Sequence, residues 1–77
     1  MRVEVFVTLK NGVLDPQGRA IQHALAGLGF SGVNDVRAGR YIELDVADGT
    51  GADDVRAMCN ALLANPVIEN FRIVGTD

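Results

Sequence analysis

Val33-Asn34-Asp35-Val36-Arg37-Ala38-Gly39-Arg40-Tyr41-Ile42-Glu43-Leu44-Asp45-Val46 is the stretch on which the fold turns. In its second half Ile42, Leu44 and Val46 fall on one side and Tyr41, Glu43 and Asp45 on the other. That is the period of a half-buried strand. Val36 and Ala38 share the parity of Ile42, with Arg40 interrupting and Gly39 offering a bend. Two readings compete. Ala38-Gly39-Arg40 is either a tight hairpin between two short strands, or a kink or bulge in one long strand. The usual two-residue hairpin signatures are absent, which favours the long strand. At about 14 residues it exceeds the usual ~5–6. Such a strand has to serve two domains.

Upstream, Asp15-Pro16 is a strong helix start: Asp15 can accept free backbone N–H groups, and Pro16 at the first helical position loses no hydrogen bond. Ile21, Ala24, Leu25 and Leu28 follow as one apolar stripe, and Gly29 suits the left-handed position that closes a helix. Before it, Val3, Val5, Val7 and Leu9 alternate with Arg2, Glu4, Phe6, Thr8 and Lys10, a half-buried strand. Phe6 breaks the polar face, which suggests that this face is also partly covered. Asn11-Gly12 reads as a plain loop.

Downstream, Asp48-Gly49-Thr50-Gly51 is a turn, and Thr50 with Asp53 resembles a capping box. Val55, Met58, Cys59, Leu62 and Leu63 trace a second apolar stripe, which Asn65-Pro66 stops. Ile68 to Val74 is a last strand with Phe71 and Ile73 on one side, and Gly75-Thr76-Asp77 is a short tail. The order strand, helix, extended segment, helix, strand defines an α+β fold related to the ferredoxin-like one. It implies an antiparallel sheet with two helices on one face, completed within one chain or by segment exchange in a dimer. Residues 1–77 form a single domain.

The chain has 77 residues, 10 acidic and 7 basic, and a formal charge of −3. A chain this short buries about 60% of its unfolded surface and rarely gains more than ~3–5 kcal/mol from its own core. With no disulfide set or zinc-type cluster, association is the expected source of extra stability. The negative charge argues against nucleic acid as a partner. No apolar run approaches the roughly 18 residues of a membrane span. Met1 to Val5 lacks the apolar core of a signal peptide. One cysteine suits a reducing cytoplasm.

Few residues offer chemistry. His23 lies opposite the first apolar stripe, without a placeable carboxylate or nucleophile, and reads as a solvated or interface histidine. Cys59 lies in the second stripe, where a thiol behaves as a small hydrophobe. Asp53 and Asp54 suit a helix start, and no loop spaces oxygen ligands for a metal. The run Lys10 to Gly18 lacks the glycines of a phosphate loop, and Asp15 would repel an anion. Lys10, Arg37 and Arg40 are basic side chains around the extended segment, readable as solvated charges or as a partner-facing cluster. By composition and spacing alone, nothing builds an active site.

Val7-Thr8-Leu9-Lys10 through Val13-Leu14-Asp15-Pro16-Gln17-Gly18 closely resembles the start of PurS, the small accessory subunit of phosphoribosylformylglycinamidine synthase. Val36-Arg37 with Gly39, Tyr41-Ile42-Glu43-Leu44 and Leu62-Leu63-Ala64-Asn65-Pro66-Val67-Ile68-Glu69 match in order, so the resemblance covers essentially the whole chain. It implies a place in de novo purine synthesis, where glutamine, ATP and formylglycinamide ribonucleotide give formylglycinamidine ribonucleotide. ATP and magnesium are then bound by the large synthetase subunit, with no cofactor or metal in this chain. Ammonia comes from a separate glutaminase subunit with its own cysteine, and the PurS-type subunit joins the two and supports ammonia transfer. The resemblance also implies a homodimer with exchanged segments, or a tetramer. Asp15, Pro16, Gly18, Gly39, Asn65 and Pro66 match the family pattern as structural punctuation; Lys10, Arg37 and Arg40 are the expected partner-facing set.

The alternative class is a regulatory module that binds amino acids at a dimer interface, as ACT domains do. It wants a glycine-containing loop after the first strand, which Asn11-Gly12 supplies weakly. An acylphosphatase would need an arginine in residues 10–15, and a metal chaperone a Cys-x-x-Cys; neither is present.

Overall fold

Three strands and two helices follow one another as β1 (Arg2–Leu9), α1 (Pro16–Gly27), β2 (Gly39–Asp45), α2 (Ala52–Met58) and β3 (Glu69–Val74), with one turn of π-helix, Cys59–Leu63, continuing α2. The computed structural model describes residues 1–75; Thr76 and Asp77 of the expected tail lie outside the described residues. The sheet is antiparallel with β1 central, in the order β2-β1-β3. This is the α+β, β-α-β-α-β arrangement that the element order implies.

Pairing is regular from Arg2↔Asp45 to Thr8↔Gly39 on one side and from Glu4↔Val74 to Leu9↔Glu69 on the other. It settles the reading of the extended segment. No hairpin forms at Ala38-Gly39-Arg40, and no bulge either, because Gly39 is simply the first paired residue of β2. The strand is shorter than expected, since residues 33–38 run on without a strand partner. Gly39 is there for closeness rather than for a bend: a Cβ would strike the Val7 carbonyl oxygen and lie 3.0 Å from Thr8 Cγ2.

Alternation puts Val3, Val5 and Val7 on one face of β1, where they are buried with Val55, Cys59 and Ala64. Ile42, Leu44, Phe71 and Ile73 flank them from the neighbouring strands. The π turn explains which residues of the second stripe arrive. The Ala64 N–H donates to the Cys59 carbonyl at 2.9 Å, a five-residue step that brings Ala64 inward and leaves Leu62 84% exposed. Spacing alone puts Leu62 on the core side. The expected capping box is also absent. Gly51 is the N-cap of α2, and the Thr50 hydroxyl donates to the Ala47 carbonyl at 2.6 Å, engaged in closing the preceding turn.

α1 begins as its sequence dictates, with Asp15 accepting from the Gly18 N–H at 2.8 Å, and ends before Gly29 at φ +99°. Its packing differs from that of α2. Within the chain α2 lies against the sheet, whereas α1 makes only marginal contact with the other elements. Ile21, Ala24 and Leu28 stay exposed and Leu25 half-buried. The molecule is therefore long, 48 × 24 × 15 Å, with a radius of gyration of 15.5 Å. A compact chain of this length would have about 11–12 Å.

Candidate partner-binding site

One end of the sheet collects nearly all the residues that the sequence singles out. There β1 finishes and β2 and β3 begin. Asp15 is the first node. One carboxylate oxygen accepts from Gly18 N, the other from the Ala38 N–H at 3.0 Å, so the helix cap also holds the extended segment. Those two N–H groups, Ala38 first, and the nearby Arg37 keep the Asp15 carboxyl below the usual carboxylate range, against a smaller opposing effect of desolvation. Gly18 is buried beneath this crossing; a Cβ would strike the Val36 carbonyl oxygen and crowd the Asp15 carboxylate at 2.7 Å. Pro16 opens the helix above it.

The three expected partner-facing cations sit at this end, and each is tied within the chain. Arg37 donates to the Asn11 side chain at 2.6 Å and to the Leu9 carbonyl, fastening the loop after β1 to the extended segment. Lys10 Nζ donates to Asn70 Oδ1 at 3.1 Å. Arg40 donates to the Leu63 carbonyl at 2.8 Å and pairs with Glu69 at 3.1 Å. Arg40 faces Val7 across β1–β2, and Glu69 faces Leu9 across β1–β3. The pair thus spans the central strand on the core side. Glu69 also accepts from the Asn65 N–H at 2.7 Å, and the Asn65 side chain accepts from the Val67 N–H at 3.0 Å, which folds the turn around Pro66. Sequence reasoning missed Glu69 as a partner. The signal was its parity: Glu69 shares a face with Phe71 and Ile73, Arg40 with Ile42 and Leu44, so opposite charges sit on inward faces.

The other side of the sheet answers the question raised by Phe6. Its ring is covered by its own cross-strand neighbours, with Tyr41 at 5.1 Å between centroids and the Arg72 guanidinium 4.7 Å from its centre. Tyr41 donates to Glu43 at 2.9 Å, and this bond, ahead of desolvation and Glu4, pushes its pKa up to about 12. His23 is exposed, and Cys59 is fully buried with its thiol pKa raised by burial. Both stand as the residues suggested. Among the described residues no group of three or more His, Cys, Asp or Glu is placed to hold a metal ion, and no helix is long and apolar enough to cross a membrane.

A small sheet domain whose charged side chains fasten backbone segments, and which leaves a helix and two sheet edges uncovered, has the construction of a component of a larger assembly. Sequence comparison says which. The sequence model of PurS, phosphoribosylformylglycinamidine (FGAM) synthase, matches residues 2–77, and the chain belongs to that family. The PurS subunit of phosphoribosylformylglycinamidine synthase from Bacillus subtilis (strain 168) is 49% identical over 73 residues, covering 92% of this chain and 87% of the relative. That from Synechocystis is 47% identical over 70 residues, covering 87% and 70%. Among solved structures, B. subtilis PurS in a C2 crystal form superposes with a TM-score of 0.82 at 49% identity, covering 94% of this chain and 92% of the other. A chain of PurLQS from Thermotoga maritima gives 0.81 at 28% identity, with coverage of 94% and 92%.

Proposed function

We propose that this chain is the accessory subunit of a phosphoribosylformylglycinamidine synthase complex. It joins the synthetase and glutaminase subunits and supports passage of ammonia from glutamine to the site where ATP and formylglycinamide ribonucleotide react. The observation that carries this reading is family membership over residues 2–77, at a length close to that of the PurS relatives. On this reading the chain holds no catalytic residue and no cofactor of its own. ATP and magnesium belong to the synthetase subunit, and the complex works in the cytoplasm. Lys10, Arg37 and Arg40 shape the end that partners meet.

The chain acts as a homodimer or a pair of dimers. Support comes from the uncovered stripe of α1 and from a wholly apolar groove of about 320 Å³ lined by Leu44, Met58, Ala61, Leu62 and Leu63. A partner helix seated in such a groove would put both surfaces out of water, and residues 33–38, which lack a strand partner, would run between the two halves.

Reconstitution with the synthetase and glutaminase subunits tests the function. Without this chain, glutamine-dependent product formation should collapse while the ammonia-dependent rate persists. Unchanged rates and no co-eluting complex would overturn the reading.

A further inference from the structure

Leu14, Val67 and Ile68 belong to neither the core nor the α1 stripe, and all three leave the same end of the sheet: 65%, 79% and 39% exposed, respectively. We infer that this end is the docking surface for a different protein whose contact face is apolar at its centre and acidic around it. The inference rests on the accessory-subunit reading and deepens it.

Two observations carry it. The first is that the exposed side chains sit on backbone fixed from within. Val67 and Ile68 ride on the turn that Asn65 and Glu69 hold from both sides, and the Ile68 carbonyl accepts from the Lys10 N–H at 2.8 Å. Leu14 follows a loop fastened by Arg37 and by the Val13 N–H to the Lys10 carbonyl at 3.1 Å. A surface already ordered loses little conformational entropy on binding. The second is charge. Lys10, Arg37 and Arg40 gather at this end, while its acids Asp15 and Glu69 are engaged by internal hydrogen bonds. Asp45, Asp48, Asp53 and Asp54 lie at the far end, where β2 finishes and α2 begins. A chain of net charge −3 thus presents a basic, apolar surface at one end, and acidic surroundings on the partner complement it.

A second copy fits poorly. A two-fold contact would face these cations with themselves, and a head-to-tail contact with the acidic end would repeat without closing.

The test is binding of the purified chain to the synthetase and glutaminase subunits, with light scattering of the chain alone. Val67→Asp and Leu14→Asp should each weaken complex formation at least tenfold, leave the mass of the chain alone unchanged and preserve its circular dichroism. Complex formation should weaken as salt rises, and Asp53→Lys at the far end should leave it unchanged. Wild-type binding that both apolar-to-acid variants share would overturn the inference and spare the accessory reading. So would variants that alter the mass of the chain alone, which marks a contact between copies. A wild-type chain that binds neither subunit would overturn both.

Discussion

Gly18 and Gly39 lack a side chain because backbone already occupies the place a Cβ needs: the Val36 carbonyl for one, the Val7 carbonyl for the other. Neither carbonyl can swing aside without breaking the Asp15 crossing or the β1–β2 ladder. Gly18→Ala and Gly39→Ala should each cost at least ~2 kcal/mol, read as a thermal midpoint lower by roughly 10 °C. Gly27, at the end of α1, has open space for 4 Å around the place a methyl would take. Gly27→Ala should leave stability unchanged or raise it by up to ~1 kcal/mol. Tyr41 offers a second residue-level test, because it is the only tyrosine and the chain has no tryptophan. Its phenol, raised from 10.0 to about 12, should give a tyrosinate absorbance midpoint near that value, and Glu43→Gln should bring it back toward 10.0. Since the folded value is the higher one, the stabilising contribution is complete below pH 10.0 and disappears as pH rises through about 12.

Among the elements, the Arg40–Glu69 bridge joins β2, β3 and the end of the π turn at once. Arg40 is more than half exposed, so water screens the charge. A double-mutant cycle with Arg40→Ala and Glu69→Ala should give a coupling of about 1 kcal/mol. Glu69→Ala should be the more harmful single change, because it also strips the Asn65 N–H of its acceptor. The element order, the caps at Asp15 and Gly29 and the burial of Val55 and Cys59 were legible in the residues, since each follows from a local rule. The roles of Gly18 and Gly39 were not, because a close approach depends on what crosses the glycine. The π turn was hidden too: five-residue closure at Ala64 satisfies the core with a small residue, where four-residue spacing chooses Leu62.

At the scale of the molecule, the placement of α1 governs behaviour. Its stripe would have to meet water in an isolated chain, with Leu28 74% exposed. Ile21→Asp and Leu28→Asp should therefore drive the chain toward the monomer by light scattering, with the monomer less stable because its core is confined to the sheet and α2. Both substitutions lie away from the Val67 end, so loss of self-association and loss of partner binding can be told apart. Both apolar stripes were readable in the sequence, and so was the need for association. What periodicity could not say is that one stripe faces its own sheet and the other does not.

The π turn also bears on how this chain tolerates changes of length. A helix turn that holds one residue more than an α-helical turn is, in effect, an insertion kept in register by its surroundings. Deleting one residue between Cys59 and Leu63 would let the helix revert to ordinary winding and rotate all that follows by about 100°. Asn65, Glu69 and β3 would then lose their angular relation to Arg40. Length variation among relatives should accordingly avoid residues 59–69 and gather in the loop at 47–51, where the backbone answers to no other element.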